Sequence, residues 1–341
     1  MNREAIRFIL GWILNVEAAL LRLPTLVAAI YRESSGWCFV ITIVLCLAIG
    51  IPCTFGGLRQ KVFHSREGLV IVALSWLVLS VVGAIPFVLS GAIPHPVDAL
   101  FETVSGFTTT GASILTDVEV LPRCILFWRS FTHWIGGMGI LVFILSILPL
   151  SGGYHMHLMK AESPGPEVSK LAPRVQSTAK ILYGIYLVLT VVEVILLLAG
   201  QMPLFDALTT AFGTAGTGGF GIKNDSITSY SPYIQYVVTI FMILFGVNFN
   251  AYFLILMGRA KQLRYAEEVW TYLGIIAASV AVIAVNTYRM YQSVEETFRH
   301  AAFQVASIIT TTGFATTDFD QWPQLSRTIL VMLMFIGACA G

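Results

Sequence analysis

Charged residues are scarce in this sequence. Asp, Glu, Lys and Arg make up 11% of the 341 residues, whereas a soluble globular domain carries about 25%. The chain therefore lacks the polar side chains that a water-facing surface requires. Its 20 Lys and Arg residues are balanced by 19 Asp and Glu, so the sequence offers no basic patch for nucleic acid.

Motifs for catalysis and for bound metals are also missing. His155 and His157 are two residues apart, with no further ligand nearby. No nucleotide-binding loop and no Ser/His/Asp set is present. The sequence thus predicts a protein that is not an enzyme and carries no covalently bound cofactor. Five cysteines lie in apolar runs without disulfide or zinc-site spacing and are interpreted as small packing residues: Cys38, Cys46, Cys53, Cys124 and Cys339.

Long apolar runs are what the sequence has instead. Hydrophobic residues make up 56% of the chain, and a membrane-spanning helix needs about 20 consecutive apolar residues. The first run contains Glu17, Arg22 and Pro24, and it is too long, with the wrong flanks, for a cleaved signal peptide. Eight runs predict eight spans, the last still apolar at Gly341: 8–31, 37–57, 68–91, 124–150, 181–200, 233–257, 269–287 and from 326 onward.

The basic residues predict the orientation. Cytoplasmic loops of membrane proteins carry an excess of Lys and Arg. With the N-terminus inside, 12 of the 20 basic residues fall in four short cytoplasmic segments: Arg3, Arg7, Arg59, Lys61, Arg66, Lys160, Lys170, Arg174, Lys180, Arg259, Lys261 and Arg264. The sequence therefore predicts a polytopic membrane protein with a cytoplasmic N-terminus.

Three short Thr/Gly phrases recur on the outer side of this layout. They read TTTGA at 108–112, GTGGF at 216–220 and TTTGF at 310–314. Each follows a segment too short to span a membrane, and without gaps the three segments align Asp98 with Asp206 and His300, Ala99 with Ala207 and Ala301, and Gly111 with Gly219 and Gly313. This register predicts an internal repeat of span, short helix, loop and span.

A short helix followed by a Thr/Gly loop is typical of a re-entrant pore element. Non-helical backbone at membrane depth is tolerated where it is buried in protein or lines a water-filled cavity. Glycine permits dihedrals that turn successive carbonyls toward one axis, and rings of carbonyls replace the water shell of a potassium ion. The short helix would direct the negative end of its dipole to the same place. A strand-forming or capping role for the Thr/Gly runs is the alternative.

These loops resemble those of the Trk/Ktr/HKT superfamily of cation transporters. Further resemblance lies in WIGGMGIL at 134–141, ESPGP at 162–166, VNFN at 247–250 and GACAG at 337–341. The TrkH type carries two additional helices before its first repeat, as the runs at 8–31 and 37–57 do here. The resemblance implies an all-α polytopic membrane protein of the bacterial cytoplasmic membrane, built from potassium-channel-like units of helix, pore helix, filter loop and helix.

The resemblance also implies the site and the division of the chain. Potassium would bind to a filter formed by Thr109, Thr110, Gly111, Thr217, Gly218, Gly219, Thr311, Thr312 and Gly313, after the leading residues Thr108, Gly216 and Thr310. In this superfamily a serine in place of Gly111 accompanies sodium preference. The implied divisions are 1–66 (two N-terminal transmembrane helices), 67–150 (repeat 1), 151–175 (cytoplasmic loop), 176–260 (repeat 2) and 261–341 (repeat 3).

Two features depart from the family pattern. Members have four repeats around one potassium pathway, and the sequence ends within the third, so we expect a natural chain roughly 140 residues longer, from one further repeat plus the remaining helix. In the second phrase, GTGGF at 216–220, glycines replace two of the hydroxyl residues. Members also work as homodimers on a cytoplasmic, TrkA-like ring of nucleotide-binding regulatory subunits, and this partner is implied for the loops at 151–175 and 258–268.

Polar residues within the spans are further candidates, because they are expensive in a membrane. Asn248 and Asn250 either line the cavity or hydrogen-bond a neighbouring helix, and Glu193 is expected to pair with a polar group of an adjacent repeat. Glu102 either accepts hydrogen bonds from the filter backbone or attracts cations, and structural support is the favoured interpretation. Arg129 is placed near the outer interface, and His133 is expected to be a packing residue. The glycines of WIGGMGI indicate close helix approach or a hinge.

The function that these observations predict is potassium uptake through a filter of backbone carbonyls, with potassium as the transported ion and membrane lipid as the surroundings. Whether uptake is channel-like or coupled to protons or sodium stays open. The alternatives are a secondary transporter of sodium or of a small solute built from broken helices, and a non-conducting fragment that lacks the fourth repeat.

Overall fold

The computed structural model describes residues 3–55, 65–139 and 175–337. In these ranges the secondary structure is helical throughout, with no strand. The chain forms two compact units, one of Met1–Thr108 and Ala112–Tyr183, the other of Thr109–Gly111 and Gly184–Gly341. The predicted cytoplasmic loop at 151–175 and the ESPGP motif lie outside the described residues, apart from Val175.

Among its described residues, the first unit contains six complete helices. Helix α1 packs against α3 and α4, α4 packs against α5, and α6 packs against α5 and α2. These helices are α1 (Arg3–Leu20), α2 (Arg22–Tyr31), α3 (Gly36–Thr54), α4 (Ser65–Leu89), α5 (Pro96–Phe107) and α6 (Arg123–Gly137).

The second unit repeats part of this arrangement. Helix α7 (Val175–Ala199) enters it from the first unit, and within it α12 packs against α9, α11 and α13. Its other helices are α8 (Leu204–Ala215), α9 (Pro232–Gly246), α10 (Phe249–Leu256), α11 (Glu267–Thr287), α12 (Val294–Ile309) and α13 (Gln324–Ile336), with short 3-10 helices at Ala260–Tyr265 and Phe319–Gln321.

In the ranges that the structure describes, five helical stretches are long and apolar enough to cross a membrane: Arg3–Tyr31, Gly36–Thr54, Gly68–Leu89, Ala179–Ala199 and Glu267–Thr287. They correspond to five of the eight predicted runs. In the last of them only 17% of the most apolar window is buried within the chain. An apolar helix surface exposed to this extent is stable in contact with lipid and not with water.

The three helices that precede the Thr/Gly loops are too short to span. Helices α5 and α8 have 12 residues each and α12 has 16, which corresponds to about 18–24 Å at 1.5 Å per residue, against a hydrocarbon core of about 30 Å. Proline sets the start of the first two, at the first helical position in α5 and at the residue before α8. These are the pore-helix positions of the repeated units.

The span predicted as one helix over 233–257 is wrong in its geometry. Helix α9 ends at Gly246, α10 begins at Phe249, and the two axes are bent by 86°. The hydroxyl of Tyr252 donates to the carbonyl of Leu244 at 2.6 Å, and that of Tyr272 donates to Ile243 at 3.2 Å. These bonds reach carbonyls of the last turn of α9, where the carbonyl of Leu244 also accepts from the amide of Val247 at 3.2 Å.

Candidate functional site

The three Thr/Gly segments share one backbone conformation. We call them loop 1 (108–111), loop 2 (216–219) and loop 3 (310–313). The first residue of each loop ends its pore helix with φ between −75° and −90°. The second and fourth residues have positive φ: 53° and 73° at Thr109 and Gly111, 51° and 72° at Thr217 and Gly219, and 56° and 85° at Thr311 and Gly313. The alternation recurs in each loop at the register that the sequence repeat predicts.

The end of each pore helix in the second unit is a Schellman motif. The amides of Thr217 and Gly218 donate to the carbonyls of Thr214 and Gly213, both at 3.0 Å. In loop 3, the amides of Thr311 and Thr312 donate at 3.1 and 2.9 Å to the residues three and five positions earlier. This motif places a residue with positive φ just after the helix, and that residue is usually glycine.

In these loops the residue is threonine, which the sequence analysis did not anticipate. A β-branched residue at positive φ is unusual, and residues held in such a region cost of order 1–3 kcal/mol each. From the sequence, positive φ is expected at the glycines alone. No sequence signal identifies Thr109, Thr217 and Thr311 as left-handed; only their equal positions in the repeat single them out. Strain repeated at three equivalent positions indicates a constrained site.

The hydrogen bonds of the loop amides determine where the carbonyls point. The N–H of one residue and the C=O of the preceding residue lie on opposite sides of the same trans peptide. Since the amides of Gly218 and Gly219 both turn back to the Gly213 carbonyl, at 3.0 and 3.4 Å, the carbonyls of Thr217 and Gly218 point away from the pore helix. The amides of Thr312 and Gly313 turn back to Ser307 in the same way, at 2.9 and 3.3 Å.

The loops meet through these carbonyls. A Cβ added to Gly111 would lie 2.0 Å from the carbonyl oxygen of Gly218, and one added to Gly219 would lie 1.9 Å from that of Thr312. Loop 1 therefore contacts loop 2, and loop 2 contacts loop 3, through glycine Cα positions and backbone oxygens. At Gly313 an added Cβ would meet nothing within 4 Å. The arrangement brings bare carbonyl oxygens of adjacent loops together.

Two threonine hydroxyls of loop 3 are engaged in hydrogen bonds within the protein. In loop 3, the hydroxyl of Thr310 lies 2.8 Å from that of Thr312 and donates to the carbonyl of Ala306 at 2.7 Å. Both threonines are buried, so these hydroxyls are engaged behind the loop. In the described part of the chain no group of three His, Cys, Asp or Glu side chains is placed to hold a metal ion. The backbone oxygens where the loops meet are therefore the main candidate cation ligands.

A buried ion pair anchors the chain that follows loop 1. One carboxylate oxygen of Glu102, in pore helix α5, accepts from Arg129 Nε at 2.6 Å and from Ser113 Oγ at 2.9 Å. The other oxygen accepts from the amide of Ile114 at 3.1 Å. The two charged side chains are 0% and 4% exposed. Glu102 thus supports loop 1 by accepting hydrogen bonds from Ser113 and Ile114, which lie just beyond Gly111.

Loops 2 and 3 have anchors of different composition. The amide of Gln235 donates to the carbonyls of Ile227, Thr228 and Tyr230 at 3.2–3.3 Å, beyond loop 2, and its oxygen accepts from Arg299 of pore helix α12. Beyond loop 3, His300 Nδ1 lies 2.9 Å from the hydroxyl of Thr316. Each loop is therefore held from behind by polar side chains of a helix that packs against it.

Comparison with known proteins gives the family. The model of the TrkH family, described as cation transport protein, matches residues 36–275 and 253–341. The chain belongs to the TrkH family of cation transport proteins. It is 38% identical to the Trk system potassium uptake protein TrkH of Salmonella typhimurium, over 100% of this chain and 72% of that protein. It is 31% identical to TrkG of Escherichia coli, over 93% and 67%.

A solved structure of the TrkH family agrees with the fold. The crystal structure of the potassium transporter TrkH from Vibrio parahaemolyticus superposes with a TM-score of 0.87 at 32% identity, covering 100% of this chain and 71% of that one. Family membership and the apolar helices together make the chain an all-α, multi-pass membrane protein with repeated pore-helix units. This confirms the fold class and the family resemblance drawn from the sequence.

The remaining polar candidates have structural partners or are buried. Asn248 caps α10 by accepting from the amide of Asn250 at 3.0 Å, and it donates to Glu268 of α11 at 3.3 Å. The structure therefore favours the neighbouring-helix alternative for Asn248. His133 is completely buried, with Nδ1 2.9 Å from the carbonyl of Gly106. Glu193 is 0% exposed and lies near Thr214 of its own repeat; its pairing with an adjacent repeat stays a prediction.

The glycines of WIGGMGI mark a helix end. Helix α6 stops at Gly137, and Gly139 has a φ of 75°. Its 15 residues match the 15 of α9, which also ends at a glycine. The segment beyond Gly139, including the rest of the span predicted over 124–150, lies outside the described residues.

Proposed function

We propose that this chain is the ion-conducting membrane subunit of a Trk-type potassium uptake system, with loops 1, 2 and 3 lining the ion pathway. The observation that carries the proposal is the meeting of adjacent loops through bare carbonyl oxygens, at Gly111 with Gly218 and at Gly219 with Thr312. The names of the relatives as potassium uptake proteins supply the identity of the ion.

The filter works by replacing water. A potassium ion that enters between the loops loses its hydration shell, and carbonyls of several loops take the place of the lost water oxygens. The site residues are Thr109, Thr110, Gly111, Thr217, Gly218, Gly219, Thr311, Thr312 and Gly313. Strained threonines and polar anchors behind the loops hold these oxygens in place, so little reorganisation is needed when the ion arrives.

The protein lies in the bacterial cytoplasmic membrane with its N-terminus inside, so that the loops face outward and the inside-negative potential draws cations through them. It acts as a homodimer with a cytoplasmic, TrkA-like nucleotide-binding regulatory subunit. The segment 258–268 carries exposed Arg259, Lys261 and Arg264 and is offered to that partner. The chain is divided after residues 66, 150, 175 and 260 into the N-terminal helices, repeat 1, the cytoplasmic loop, repeat 2 and repeat 3.

Substitution of Gly111 by serine tests the identity of the filter. A side chain there is strained by a φ of 73°, and its Cβ would lie 2.0 Å from the Gly218 oxygen, so this carbonyl must move away from the ion. The loss of a polar contact worth about 1.4 kcal/mol to one ion corresponds to a ten-fold change in the relative affinity for the two ions. We therefore expect Gly111→Ser to lower the preference for potassium over sodium by about ten-fold.

The measurement is uptake of potassium and of sodium by a strain that lacks its own potassium transporters and expresses the full-length protein. Gly91→Ser is the matched control, because Gly91 has the same φ of 73° and nothing within 4 Å of an added Cβ. Uptake of potassium that depends on the protein, with unchanged selectivity in Gly111→Ser, would remove loop 1 from the filter. Absence of any potassium uptake by the unaltered protein would contradict the proposed function itself.

A further inference from the structure

An apolar groove lies in the first unit between α1, α3 and α4. It encloses about 460 Å³, within the range of about 300–1,000 Å³ that is usual for small-molecule sites. Its walls are aliphatic side chains such as Leu14, Ile49 and Leu74, and Gly11 forms part of its floor. Ile49 is 48% exposed, so the groove opens toward the surroundings of the helices and not into the interior of the unit.

Two arginines stand at one end of this groove. Arg3 and Arg7 are among its lining residues and are exposed. In the described part of the chain, neither guanidinium forms an ion pair. Glu4 lies between them in the sequence and is exposed, but it does not line the groove. An apolar groove that ends in these two arginines is complementary to an amphiphilic anion.

The length of the groove matches one leaflet of a bilayer. Arg3, Arg7, Leu10 and Leu14 form one stripe along α1. From Arg3 to Leu14 the helix rises about 17 Å at 1.5 Å per residue, and one leaflet occupies about half of the 30 Å hydrocarbon core. The charged end coincides with the first turn of α1.

We propose that this groove binds one acidic phospholipid, in the leaflet on the side of the chain's N-terminus. The phosphate lies against Arg3 and Arg7, and an acyl chain lies along Leu14 and Leu74. A zwitterionic lipid fits the apolar walls equally well, but its ammonium group cancels the attraction to the two arginines. The site is distinct from the loops of the proposed filter and makes the first unit sensitive to the lipid composition of the membrane.

The test is native mass spectrometry of the full-length protein released from nanodiscs that contain phosphatidylethanolamine and phosphatidylglycerol. We expect the unaltered protein to retain one phosphatidylglycerol. The double variant Arg3→Gln/Arg7→Gln should bind it roughly 30-fold more weakly, since each basic residue near an anionic headgroup contributes about five-fold. Leu74→Trp, which fills the groove and leaves both arginines in place, should also lose the lipid.

The matched control is Arg259→Gln/Arg264→Gln, which removes two exposed arginines of the predicted cytoplasmic side that do not line the groove. It should retain phosphatidylglycerol, and melting temperatures verify that all variants fold. Equal retention of phosphatidylethanolamine by the unaltered protein, or equal loss in the control, overturns the proposal. Dissociation of a dimer by Leu74→Trp without loss of lipid would make the groove a protein interface and would also overturn it.

Discussion

Replacing Gly219 by alanine is expected to abolish potassium uptake. The new Cβ would lie 1.9 Å from the carbonyl oxygen of Thr312 and 2.9 Å from its carbonyl carbon. These are backbone atoms of another loop, and they cannot rotate away as the end of a side chain can. The alanine must therefore separate loops 2 and 3. The carbonyl oxygens of the two loops then lie too far apart to replace the water shell of the ion together.

The control for this experiment separates collision from backbone strain. Alanine at a positive φ costs roughly 1–2 kcal/mol wherever it occurs. Gly91→Ala carries this strain at a φ of 73°, compared with 72° at Gly219, but meets no atom within 4 Å. Its uptake should stay near that of the unaltered protein. Normal uptake by Gly219→Ala, measured with rubidium as a tracer, would show that loops 2 and 3 do not approach each other as described.

Removal of the Glu102 carboxylate is the second change with a large expected effect. Glu102→Ala leaves the Arg129 guanidinium buried without its partner, and breaking a buried ion pair costs about 3–5 kcal/mol. It also removes the acceptor for Ser113 and Ile114 beyond loop 1. We expect a lower melting temperature together with reduced potassium selectivity.

Two comparison variants distinguish these two effects. Glu295 pairs with Arg299 in α12, but its side chain is 53% exposed, so Glu295→Ala should cost at most about 1 kcal/mol. The hydrogen bond from Arg299 keeps the pKa of Glu295 below its usual value, so this control removes a charged group near neutral pH. Glu102→Leu/Arg129→Met should recover much of the stability, because apolar replacement of a buried pair is often neutral.

Selectivity should not return in that double variant. Its apolar side chains offer no acceptor to the hydroxyl of Ser113 or to the amide of Ile114. Full recovery of selectivity together with stability would mean that Glu102 serves only the folding of the first unit. Persistent loss of selectivity at recovered stability would support a positioning role for the carboxylate behind loop 1.

The register of the three loops was accessible from the sequence because the repeat needs no gap between Asp98 and Gly111, or between their counterparts. A gap-free repeat transfers one backbone conformation to all copies, and the positive φ values of 73°, 72° and 85° at Gly111, Gly219 and Gly313 agree with this. Apolar length likewise predicts spans well, since a bilayer imposes a minimum length on any helix that crosses it.

Features set by contacts between distant residues could not be obtained in this way. At the bend after Gly246, the hydroxyls of Tyr252 and Tyr272 bond to backbone carbonyls. No pattern in the sequence identifies these two tyrosines as partners of the helix end. The partner of Gln235 is 64 residues away in the sequence, and nothing in either local pattern joins them. The left-handed threonines oppose their own propensity, so tertiary structure decides their conformation.

The most direct measurement of the central claim is the anomalous diffraction signal of the full-length protein crystallised with thallium or rubidium in place of potassium. The account predicts a peak between the loops, within coordination distance of the carbonyl oxygens of Gly218 and Thr312. Its occupancy should fall when potassium competes and should vanish in Gly219→Ala. Ordered loops without a peak, with the heavy ion bound only elsewhere, would contradict the claim that these backbone oxygens replace the water shell of the transported ion.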